Sequence, residues 1–218
     1  MSLLTQFYPG PGGGGGGVGT NPGVYASDPS SPNVSPVLFL GAATSVATNF
    51  SCPNPYQTAT FNAVRIDNTA GGSISGGMTK IVDLSFKLAA GASSINYNVS
   101  GPNLTTIDGL WWDASVTSGT STLSVNIRNN SSLTTISRIY QLVTGSVNVG
   151  RTIIYDFSGN ALSQASVDAL LVAIDAGKGT DTGTRQVDLS GGTNSTPGAA
   201  GLAAKASLVA AGWVVTNN

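Results

Sequence analysis

The sequence predicts a mixed α/β (or α+β) fold that ends in a solenoid of strand–helix units. Three observations support this. Four short strand-like segments in the second half align under one another at a nearly fixed spacing. Apolar residues at helical spacing follow the later segments. The first 35 residues are rich in proline and glycine and almost free of charge. At 218 residues the chain can hold one fair-sized domain or two small ones. It divides into a Pro/Gly-rich arm at 1–35, a β-rich region at 36–90 and the repeating part at 91–218.

The repeating part carries most of the signal. Its four segments begin at Ile95, Leu123, Ile153 and Arg185, and their anchor residues are Val99, Ile127, Phe157 and Leu189. In each, an apolar residue is followed by Asn or Asp, another apolar residue, a polar residue and a turn. The anchors are 28, 30 and 32 residues apart, and a near-constant period in this range marks stacked units. Each unit has one apolar face that it cannot bury alone, so stacking builds a continuous core. Consecutive strands should therefore lie parallel and form a short curved sheet.

Helices are expected between these strands. Ile136, Ile139, Tyr140 and Val143 fall at i, i+3, i+4 and i+7 before Gly145, and Val167, Leu170, Leu171 and Ile174 repeat that spacing. Ser163 or Ser166 can cap the second helix, with Gly177 as its stop. Leu202, Ala206 and Val209 form a third apolar face ended by Gly212, after which Trp213-Val214-Val215 reads as a return strand. The stretch with Leu104, Ile107, Leu110, Trp111 and Trp112 fits no regular element, as is common for a first repeat.

In the β-rich region, Val37–Leu40, Ala63–Ile66 and Ile81–Phe86 are strand candidates, with Gly71-Gly72 and Gly76-Gly77 as punctuation. The arm holds eight of the ten prolines once it is extended to residue 55, and it has no core of its own. Leu3, Leu4, Phe7 and Tyr8 form an apolar tip that suits docking into a groove on another subunit, or else is a frayed terminus.

Composition narrows the chemistry. Charged residues make up 9% of the chain, against about 25% in ordinary globular proteins. All ten acids are Asp, and there is no His. Two common general acid–base groups are thus missing, and we expect no enzyme activity and no catalytic residue. A net charge of −1 with scattered cations argues against nucleic acid as a partner. One Cys and no His leave no metal-ligand spacing, and no cofactor is expected. Cys52 has no flanking group to activate it. The formal G-x-G-x-x-G within Gly12–Gly17 neither follows a strand nor opens a helix, so it is no phosphate loop. The start of the chain lacks the charged and apolar regions of a secretory signal, and no stretch is long enough to insert in a membrane.

Two constellations could bind a partner. Asn98, Asn126, Asp156 and Asp188, with Asp83 extending them, would form a polar column with ~4.8 Å between strands. This column reads either as a partner-binding face or as the solvated alternate positions of half-buried strands. Asp156 and Asp188 would repel mildly unless a cation intervenes. Trp111-Trp112 reads as a carbohydrate-stacking platform or, more simply, as packing of the first repeat.

The stretch Leu123-Ser-Val125-Asn-Ile127-Arg-Asn129-Asn-Ser-Ser-Leu133-Thr-Thr-Ile136 resembles the leucine-rich-repeat pattern, in which apolar alternation is followed by Asn and then Leu. Ile95 to Ile107 and Ile154 to Leu162 match it more loosely, and the likeness, to divergent bacterial surface-type repeats, covers roughly residues 91–218. In the fourth unit the pattern's Asn is missing from its expected place. Val187–Asn194, Gly201–Leu208 and Gly212–Thr216 are similar to tail segments of virion proteins of marine and cyanobacterial tailed phages.

These resemblances imply binding or structural roles. The leading expectation is a virion protein of the capsid-decoration or knob type. Its arm would hold the major capsid protein or another virion protein, and it would be oligomeric in the assembly. The protein would be made in the host cytoplasm and carried on the particle. The alternative is a tail-fibre or surface adhesion module that binds a host glycan or receptor through the concave face. An Asp-dependent glycan hydrolase is a more distant third.

Overall fold

The computed structural model describes residues 23–25, 37–40, 48–51, 60–61, 63–68, 71–76, 78–88, 94–113, 122–143, 152–179 and 182–218. Leu3, Leu4, Phe7, Tyr8, Cys52 and Gly145 lie outside them. The fold is mixed α/β, and the described residues form two largely parallel sheets and two helices.

Among the described residues, the first sheet holds β1 (Gly23–Tyr25), β2 (Val37–Leu40), β5 (Ala63–Asn68), β7 (Lys80–Leu88), β9 (Thr106–Asp113) and β11 (Thr135–Val143) in that order. The short β4 (Thr60–Phe61) also pairs with β7. The second sheet runs β3 (Thr48–Ser51), β6 (Gly71–Ser75), β8 (Ser94–Ser100), β10 (Thr122–Asn126), β12 (Thr152–Asp156), β13 (Arg185–Leu189) and β14 (Val214–Asn217). Apart from the antiparallel β1–β2 pair, neighbours are parallel. From β6 to β12 the chain alternates between the sheets, so each sheet pairs strands that are one full circuit apart. Both sheets continue across residue 90, through β6–β8 and β7–β9.

Alternation in the second sheet follows from its apolar residues. Tyr97, Val125, Tyr155 and Val187 occupy one register row and are buried, as are Val99, Ile127, Phe157 and Leu189 just beyond. Opposite them, the first sheet contributes Ile81, Ile107 and Ile136, then Leu84 and Leu110. Burial of these side chains, worth about 1.5–3 kcal/mol each, holds the two sheets together.

The segment around Ile136 is not a helix. It is β11, and its i, i+3 spacing has a backbone cause. Arg138 has φ +48°, and the equivalent residues of the two neighbouring strands, Asp83 (φ +57°) and Gly109 (φ +110°), are also left-handed. These stacked left-handed residues, in register across the three strands, reset the alternation, so Ile136 and Ile139 both turn inward although they are three apart. Ile81 with Leu84 and Ile107 with Leu110 do the same. Most of the stretch from Leu104 to Trp112 therefore belongs to β9, a full member of the sheet that carries the left-handed Gly109. Gly71-Gly72 likewise begins β6 instead of separating strands.

After β12 a helix takes the place of the first-sheet strand. α1 (Gln164–Gly177) starts at Ser163, whose Oγ accepts from the Ser166 N–H, and buries Val167, Leu170, Leu171 and Ile174. Gly177 is its last residue, and the left-handed position falls at Gly179. Ser166 joins helix to sheet: its Oγ accepts from Ile136 N–H at 3.0 Å and lies 3.3 Å from the Thr134 carbonyl. α2 (Ala199–Ala210) packs on α1, and its buried face is Gly201, Ala204 and Leu208. The predicted face is the wrong one, because Leu202 and Val209 are 53% and 51% exposed. Gly201 sets the orientation: a Cβ there would strike Asp168 of α1. That same Asp168 accepts from Gly198 N–H at 2.8 Å at the start of α2. Trp213 then stacks on Tyr155, with ring centroids 5.9 Å apart, and leads into β14.

Candidate functional site

The outer face of the second sheet carries the predicted column. Asn98, Asn126, Asp156 and Asp188 share one register row, extended by Ser73 on one side and Thr216 on the other. Asp83 does not belong to it, because it lies on β7 in the other sheet. Ser73, not an acid, takes the position next to Asn98.

The polar groups of this column bind their own chain. Asn126 Nδ2 donates to Asn96 Oδ1 at 2.7 Å and lies 3.0 Å from Ser124 Oγ. Asp156 Oδ1 accepts from the N–H of Ser158 (3.0 Å) and from its hydroxyl (2.6 Å). Asp188 does the same with Ser190, at 2.8 and 2.6 Å. Both acids open the sequence Asp-X-Ser-Gly, and both glycines, Gly159 and Gly191, have φ near +70°. Each carboxylate thus clasps the tight turn that ends its own strand. A cation also meets Asp156, whose Oδ2 lies 3.0 Å from Arg128 Nη1.

A second, buried column went unnamed in the sequence reading. Asn130, Asn160 and Asn194 are 0%, 1% and 4% exposed. Asn130 Oδ1 accepts from Gly101 N–H at 2.7 Å, and Asn160 Oδ1 from Asn130 N–H at 2.8 Å. Asn160 Nδ2 donates to the carbonyls of Ile127 and Phe157, and Asn194 Nδ2 to those of Phe157 and Leu189. The fourth unit does have its Asn, displaced by two residues. Gly191 and Gly192 (φ +70° and +60°) absorb the extra length, and Asn194 still accepts from Leu162 N–H at 2.8 Å. Asn at a constant offset from Ile127 and Phe157 was the available signal; the glycine pair hid its recurrence.

The outer face of the first sheet holds an ion cluster. Asp108 meets Arg138 Nε at 2.5 Å, Ser137 Oγ at 2.9 Å and Lys80 Nζ at 4.0 Å. Arg138 also reaches Asp83 Oδ1 at 3.6 Å, passing Gly109, where a Cβ would strike Asp83. The hydrogen bond from Arg138 leads the groups that hold the Asp108 carboxyl below its ordinary value of 3.8. Half-buried Trp111 sits further along β9, beside Ser85 and Gln141 in register. Register brings these charges together from three successive strands of the sheet, and the left-handed kink behind it has no local sequence signature.

No family model matches this chain, and neither a curated protein nor a solved structure does. Among the described residues, no group of three His, Cys, Asp or Glu side chains could hold a metal ion. No described helix is long and apolar enough to cross a membrane.

Proposed function

We propose that the protein is a non-catalytic structural module of a virion, of the capsid-decoration type. In this reading, residues 91–218 form a leucine-rich-repeat-like solenoid, and the N-terminal arm with Leu3, Leu4, Phe7 and Tyr8 anchors it to the major capsid protein. The single observation that supports it is how the carboxylates of the outer-face column are used. Asp156 and Asp188 each spend an oxygen on the turn of their own chain. Carboxylates spent on turns suit a rigid display body better than acid–base chemistry. The test is deletion of residues 1–20, which leaves β1 in place. Particles assembled with the shortened protein should lose it, with its circular dichroism unchanged; undiminished incorporation would refute the anchoring role.

A second reading is an adhesion module on a tail fibre or cell surface that uses the column of Asn98, Asn126, Asp156 and Asp188. The unbroken register of six polar residues from Ser73 to Thr216 favours it. Glycan or receptor binding that is lost in Asn98→Ala/Asn126→Ala would establish this reading in place of the first.

A further inference from the structure

Exposed apolar side chains are concentrated at one end of the described fold. Of the four large exposed hydrophobic residues among the described positions, Leu202, Val209 and Val214 all lie in the last unit. Leu202, Lys205 and Val209 fall at i, i+3 and i+7, on one stripe of α2. Gly201 faces α1 through Asp168, and Ser207 faces it through Lys178 Nζ at 2.9 Å. Lys205 instead reaches Asn217 of β14, at 2.5 Å. The stripe therefore lies away from α1 and flanks β14.

β14 is the terminal strand of the second sheet, and its far edge pairs with no strand among the described residues. Natural sheets guard such edges with charged side chains, proline or a bulge. The strand Val-Val-Thr-Asn has no charge and no proline, and its register with β13 runs without a break. Polar residues normally cover the end of a stack, whereas here Leu202, Val209 and Val214 are exposed.

We propose that this end is a docking surface for a second copy of the same chain, placed by a two-fold axis so that β14 pairs antiparallel with its counterpart. The two α2 stripes would then close over each other. Charge decides between occupants. From Leu189 onward Lys205 is the only charged residue, and its ammonium is already held by Asn217. A strongly charged partner would find a single cation here, already bonded to Asn217, whereas a largely neutral, apolar surface with an open strand edge complements itself. The inference stands whether or not the arm or the polar column binds anything.

The test is light scattering of the full chain over a concentration series, with L202K/V209K alongside. Both side chains are exposed, so circular dichroism should not change. The wild type should approach twice the monomer mass and the variant should stay monomeric. Amide exchange at Val214–Asn217 should slow with concentration in the wild type only. A monomeric wild type at hundreds of micromolar, a dimer that survives the double substitution, or a mass that grows without plateau would each overturn the proposal.

Discussion

Asparagine does two jobs in this chain, and its partners distinguish them. Asn126, 7% exposed in the outer row, mainly serves neighbouring side chains, with one longer bond to the Tyr97 carbonyl at 3.3 Å. Asn160 is buried at the turn and satisfies the Asn130 N–H and two carbonyls at once. Asn160→Ala leaves these backbone groups without partners where water is excluded, at about 1–3 kcal/mol each. Urea denaturation should show a loss of about 3 kcal/mol or more, and Asn126→Ala a much smaller one. The alternation of Asn and apolar residues was legible in the sequence, because period two along a strand is written directly into residue order. The buried ladder was harder to see, since two inserted glycines shifted Asn194 away from its column.

At the scale of elements, the second sheet was more legible than the first. Its inward residues alternate strictly, so the four aligned segments pair in the register their anchors imply. In the first sheet, the left-handed residues at Asp83, Gly109 and Arg138 turn period two into a spacing that imitates a helix. The same left-handed kink gathers the ions, which gives a pH dependence. Because Arg138 lowers the Asp108 carboxyl, that carboxylate adds stability at neutral pH that disappears as pH falls through its depressed folded value, below 3.8. The stability gap between wild type and Asp108→Asn, measured by denaturation at several pH values, should be constant above about pH 5 and close at lower pH. The cluster is partly solvated, so the gap should stay within about 1 kcal/mol.

Over the whole molecule, the last unit is tied to the rest on two sides, helix on helix and strand on strand. α2 packs on α1 and β14, and β14 pairs with β13. Asp168 is one fastener, through Gly198 N–H. Asp168→Ala should cost about 1 kcal/mol, as the loss of a helix cap does. Amide exchange in α2 and β14 should then quicken about fivefold, while β8 and β10 keep their rates. Equal acceleration throughout would mean that the fold opens only as one piece.

Strands in a sheet sit ~4.8 Å apart, whereas packed helices need about 8–10 Å. Up to β11, strand backs strand and the two sides advance by equal steps. Beyond it, α1 and α2 back β12, β13 and β14, so the rear advances further per circuit than the front. The second sheet must curl toward its outer face there, hollowing the surface around Asp156 and Asp188 while the part around Ser73 and Asn98 stays flat. Gly198 and Gly201, which let α2 draw close to Asp168 of α1, limit how far that curl goes. Bulkier residues at these two positions would deepen the hollow without touching a single residue that lines it.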